Sequence, residues 1–179
     1  DEKDIEANLK VAEFMVLGKK SEQAMEKILL VLEQQPDNIE ALLVKAQIYM
    51  QKKLFEKALK IYEKVLSIDA DNILAMQNTA KVHVFNNNLE DAEKLLLQTV
   101  DLKPESLPVR LILIAFYLKI QQLDQVENQL KMAIAAAPED SEPKILLGNM
   151  YFNQKKQTEA EKNYLDAINT APSVLRPYL

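Results

Sequence analysis

Apolar positions along the chain fall into blocks of about fourteen residues with helical spacing, divided by short polar turns. The turns are Gly18-Lys19-Lys20, Lys52-Lys53, Asn86-Asn87-Asn88, Gln121-Gln122 and Lys155-Lys156. The pattern repeats itself. Pro36, Pro104, Pro138 and Pro172 lie on one lattice of 34 residues, with Ala70 at the remaining point. Two residues beyond Pro36, Ala70, Pro104 and Pro138 stand Asn38, Asn72, Ser106 and Asp140, and one period before Asn38 stands Asp4. Each is a residue type whose side-chain oxygen accepts from a free amide in the first turn of a helix. Five such residues at one strict spacing, with no insertion, set the period.

The interior of the period obeys the same register. Counting from the residue after each cap, the eighth position reads Ala12, Ala46, Ala80, Ile114 and Gly148, and the twentieth reads Ala24, Ala58, Ala92, Val126 and Ala160. These mostly small residues let two helices approach closely. The eleventh (Met15, Tyr49, His83, Tyr117, Tyr151) and twenty-fourth (Ile28, Tyr62, Leu96, Leu130, Tyr164) carry larger groups that fill the space beside them. Each repeat is therefore predicted as helix, turn, helix. Pro108 and Pro143 fall at the second and third helical positions, where the missing amide hydrogen had no partner to lose.

This register resembles the tetratricopeptide repeat family over Ile5 to Pro172, most fully in the segments starting at Ile39 and Ser141. The resemblance implies an all-α, right-handed superhelical solenoid of antiparallel helix pairs, with first helices on the concave face. The chain then reads as a single domain over 1–179 with repeats 5–38, 39–72, 73–106, 107–140 and 141–174. The start of a sixth repeat falls at 175–179, giving about ten helices and a truncated last turn. Without a capping helix after it, this reads as a fragment of a longer protein, or as an end covered by a partner or by self-association. Two family positions differ here. The fourth, an aromatic in the family, holds Asn8, Leu42, Met76, Arg110 and Lys144, and the turn glycine is replaced by Lys19, Lys53, Asn87, Gln121 and Lys155.

The resemblance also implies a peptide groove on the first helices. Carried over by position, its fifth-position residues are Leu9, Leu43, Gln77, Leu111 and Ile145. The ninth supplies Glu13, Gln47, Lys81, Ala115 and Asn149, and the twelfth Val16, Met50, Val84, Leu118 and Phe152. The thirteenth adds Leu17, Gln51, Phe85, Lys119 and Asn153. Positions five, nine and twelve share one helix face, so the expected surface is a double apolar ladder with polar rungs. The competing reading is that the apolar rungs pack against the next repeat. The Lys and Asn clamp by which chaperone-adaptor members of the family hold a C-terminal carboxylate finds no matching set in any register of this chain.

Composition narrows the chemistry. Two glycines, Gly18 and Gly148, cannot build a glycine-rich phosphate loop. No cysteine and the single His83 leave little for zinc or thiol chemistry, and the expected cofactor is none. Asp69-Ala70-Asp71-Asn72 looks like a calcium loop but lacks its turning glycine and distal glutamate. A net charge of -5 gives no footprint for nucleic acid. The longest apolar run, Leu111–Leu118 between Arg110 and Lys119, falls short of the roughly 18 residues a membrane span needs. The expected function is a non-catalytic scaffold for a protein or peptide partner, with no nucleic acid and no membrane insertion. The alternative is the recruiting or regulatory arm of a larger enzyme or a bacterial export or assembly machine. Location is open: cytoplasm is the default, a bacterial periplasmic protein or lipoprotein the alternative.

Overall fold

The computed structural model describes residues 4–170, so Pro172, the expected sixth repeat at 175–179 and the uncapped end lie outside the described residues. Those residues form ten α-helices and no strand: α1 (Ile5–Leu17), α2 (Ser21–Gln34), α3 (Ile39–Gln51), α4 (Phe55–Ile68), α5 (Ile73–Phe85), α6 (Leu89–Leu102), α7 (Leu107–Lys119), α8 (Leu123–Ala136), α9 (Glu142–Asn153) and α10 (Gln157–Thr170). The fold class is the all-α solenoid of antiparallel helix pairs. Two compact units divide it, Asp1–Thr99 and Val100–Leu179, with the boundary inside α6.

Capping chemistry starts the first helices. Asp4, Asn38 and Asn72 accept from the amides of Ala7, Ala41 and Ala75 at 2.9–3.0 Å. Ser106 makes no such bond. Asp140 accepts from Glu142 at 2.9 Å, and α9 starts at Glu142, after Ser141, one residue later than the lattice predicts. The same Asn72 that caps α5 also donates to Asp69 Oδ2 at 3.0 Å, so the calcium-like segment is occupied with helix capping.

Every turn between the two helices of a repeat closes alike. In the first, the Lys19 amide donates to Val16 O at 3.1 Å and the Lys20 amide to Met15 O at 2.8 Å. This is the paired closure of a helix that ends in one left-handed residue. The left-handed residues are Lys19, Lys53, Asn87, Gln121 and Lys155, with φ between 57° and 62°. The five positions where the family has glycine therefore do carry the glycine conformation, held by residues with a Cβ.

In unit 1 each core cluster joins one helix pair to the first helix of the next. Leu9, Ala12 and Val16 of α1 pack with Ala24, Ile28 and Val31 of α2 and with Ala41, Val44 and Ile48 of α3. One period later, Leu42 and Ala46 pack with Ala58, Tyr62 and Val65 and with Ala75. The small residues of positions eight and twenty are buried throughout. Ile48 and Val82 at position ten are fully buried, whereas Phe14, their counterpart on α1, is 77% exposed.

Unit 2 shows what replaces the family aromatic at position four. Arg110 is buried and donates from Nη1 to Gln129 Oε1 and from Nη2 to Pro104 O, both at 2.8 Å. Lys144 reaches Pro138 O and Thr170 Oγ1. In unit 1 the buried Asn8 donates to Asp4 O at 2.8 Å. These polar side chains tie the first helix to the loop before it, where an aromatic would fill space.

Candidate functional site

A groove of about 950 Å³ runs along α1, α3 and α5 in unit 1. Its lining follows the register of the repeat. From position nine come Glu13, Gln47 and Lys81, and from thirteen Leu17, Gln51 and Phe85. Position two gives Glu40 and Leu74, and position six Val44 and Asn78. These four positions are separated by four, three and four residues and make one stripe on a helix. Leu43 and Met50, from positions five and twelve, also line it.

The walls are apolar and open. Leu74 is 54% exposed and Leu17 79%. At the far end Phe85 stacks on Phe55, the first residue of α4, with ring centroids 4.6 Å apart and planes 13° from parallel. The polar members are unequally engaged. Glu13 pairs with Lys10 at 3.2 Å. Gln51 spans two repeats: its Nε2 donates to Val16 O at 3.2 Å and its Oε1 accepts from Ser21 at 2.9 Å. Tyr62 of α4 reaches the groove from the core and is only 2% exposed, and burial pushes its pKa up to about 12.

The residues expected from sequence divide by position. Glu13, Leu43, Gln47, Met50 and Lys81 line the groove together. Leu9 and Val16 are buried in the cluster that joins α1, α2 and α3, and Gln77 and Val84 are partly buried on α5 without lining it. In unit 2, Leu118 and Phe152 are largely exposed, as are Ala115 and Asn149, while Leu111 and Ile145 are half-buried. Asn149 accepts from the Tyr164 hydroxyl at 2.8 Å. Positions two and six supply the part of the lining that the residues carried over at positions five, nine, twelve and thirteen do not include. The two-six-nine-thirteen spacing is the signal that finds it, because it keeps one face of a helix for its whole length.

His83 is half-buried outside the groove lining, and its Nδ1 has no hydrogen-bond partner among the described residues. Among the described residues no group of three His, Cys, Asp or Glu side chains could hold a metal ion, and no helix is long and apolar enough to cross a membrane.

Comparison with known sequences and structures agrees with this geometry. A family model described as tetratricopeptide repeat matches residues 20–78 and 49–103, and a second with the same description matches 142–174. No curated protein matches the chain. Among solved structures, PilF of Pseudomonas aeruginosa is 17% identical with a TM-score of 0.72, covering 95% of this chain and 78% of that one. A crystal structure of MamA is 17% identical with a TM-score of 0.68, over 98% of this chain and 96% of that one. YrrB, described as a TPR protein with an unusual peptide-binding site, is 18% identical with a TM-score of 0.60, over 97% and 89%. At such identities the likeness is one of fold.

Proposed function

Because the chain belongs to the tetratricopeptide repeat family, we propose that it is a non-catalytic interaction scaffold that holds a peptide segment in the groove of α1, α3 and α5. The observation that carries this reading is the groove itself. Its volume of about 950 Å³ suits a ligand of several residues, and its walls expose Leu17, Leu74 and Phe85. Apolar side chains gathered in one concave surface, and not scattered singly, favour a partner that covers them. Burying one such side chain is worth roughly 1.5–3 kcal/mol before ordering costs. Two or three anchors therefore support binding in about the micromolar range.

Charge substitution separates a binding face from a packing face. Leu43→Glu and Leu74→Glu are expected to leave the far-ultraviolet circular dichroism unchanged and to abolish binding of a peptide selected on the wild-type protein. Leu29→Glu, on the exposed outer side of α2, is expected to change neither. Unfolding of both groove variants would assign Leu43 and Leu74 to the core, and retained binding would move the site elsewhere.

A further inference from the structure

Several polar groups of the groove are already engaged within the chain. Glu13 is paired with Lys10, Gln51 is bonded at both ends, and Asn78 Nδ2 donates to Leu74 O at 2.8 Å. No described residue bonds the Tyr62 hydroxyl, the Gln47 amide or the Lys81 ammonium. Tyr62 is the most informative of the three. Its ring is buried in the cluster with Ala46, Ala58 and Ala75, yet the residue lines the groove. The fifth repeat shows where a tyrosine at this position delivers its hydroxyl: Tyr164, also at position twenty-four, donates to Asn149 at position nine of its own repeat. In the second repeat position nine is Gln47, and it takes no such bond. With its pKa pushed up to about 12, this hydroxyl keeps its proton throughout the physiological range and can donate to a ligand. Lys81 stands at position nine of the next repeat, level with Gln47, and is exposed.

We infer that the ligand carries a single acidic side chain between apolar residues, its carboxylate accepting from the Lys81 ammonium and the Tyr62 hydroxyl while Leu43 and Leu74 receive the neighbours. The inference rests on the groove being the binding face. Both groups can donate to a carboxylate, and hydrogen bonds to an ionised acceptor are the strong ones. One acid suits Lys81 at the centre of the lining, and Lys53 in the turn after α3 is its second lysine. Glu40 lines the same groove near the start of α3, and the chain carries a net charge of -5, so a run of acidic residues would be repelled.

The probe is a phage-displayed library of random nine-residue peptides panned on the full chain. The consensus peptide is then synthesised with acetylated and amidated ends and titrated by fluorescence anisotropy. The expected consensus has one Asp or Glu flanked by apolar residues. Changing that acid to its amide is expected to weaken binding about tenfold, and Lys81→Glu to weaken the acidic peptide while restoring binding to its lysine-substituted form. Tyr62→Phe is expected to weaken binding several-fold at an unchanged melting temperature. Peptides that lose binding on Leu74→Glu but ignore both the amide change and Lys81→Glu overturn this inference and leave the groove standing. Peptides indifferent to Leu74→Glu, or a library without binders, remove the groove reading and this inference with it.

Discussion

Tyr164 Cε1 stands 2.5 Å from the place a Cβ on Gly148 would occupy. The ring of α10 thus lies directly over the backbone of α9, and its hydroxyl reaches past to Asn149 at 2.8 Å. Gly148→Ala gains helix propensity of about 1 kcal/mol but forces the ring aside, an overpacking cost of about 1–3 kcal/mol. The expected net result in urea denaturation is destabilisation by about 1 kcal/mol. In a Tyr164→Leu background the same change is expected to be neutral or stabilising. Equal effects in both backgrounds would mean that the ring does not set the spacing.

The five left-handed turn residues offer a stabilisation series. A side chain at φ near 60° strains the backbone by about 1–2 kcal/mol, and glycine relieves it at some cost in unfolded-chain entropy. Lys155→Gly and Gln121→Gly are each expected to raise unfolding stability by about 0.5–1 kcal/mol, and Asn87→Gly by less, since Asn tolerates this region. A loss of stability at Lys155 would indicate that its side chain contributes contacts outweighing the strain.

Arg110 and Gln129 form a buried pair whose members need each other. Gln129→Leu strands one guanidinium nitrogen and is expected to cost about 1–3 kcal/mol. Replacing both, as Arg110→Met with Gln129→Leu, is expected to recover most of that loss, because an apolar pair of similar volume removes the desolvation cost. A double variant as unstable as the sum of the singles would argue that the Pro104 bond, not the pair, is what matters.

Glu127 gives the acid limb of stability a specific source. The Lys131 ammonium donates to its Oε1 at 2.6 Å and the Tyr151 hydroxyl at 2.8 Å, and the two hold its carboxyl below the usual carboxylate range. A lowered folded pKa means the contribution is complete above the unfolded value of about 4.3 and fades as pH falls through the folded one. Between about pH 5 and about pH 3 the wild type is therefore expected to lose more stability than Glu127→Gln, with Tyr151→Phe between them. Parallel curves for all three would remove Glu127 from the acid transition.

The period made the helices legible because a repeat imposes the same caps, turns and small residues five times over. The turns illustrate it: the register placed Lys19, Lys53, Asn87, Gln121 and Lys155 at the glycine position, and all five are left-handed. The start of α9 was less legible. Asp140 and Ser141 can both cap, and Pro143 sets the first turn behind Ser141. The groove was legible at position nine, which projects from the middle of the exposed face. At position twelve the outcome depends on the neighbours: Val16 is buried, Met50 lines the groove and Phe152 is exposed. Tyr62 read as core from its position, and it is core. That the same residue also lines the groove is not recorded by any residue pattern.

The most direct test of the groove as the binding face is amide chemical-shift mapping of the labelled chain titrated with a selected peptide. The account predicts saturable shifts concentrated at Leu43, Gln47, Leu74, Lys81 and Phe85 on α3 and α5, with the outer residues Leu29 and Leu30 of α2 unmoved. Shifts centred on α2 and α4, with α3 and α5 silent, would contradict it.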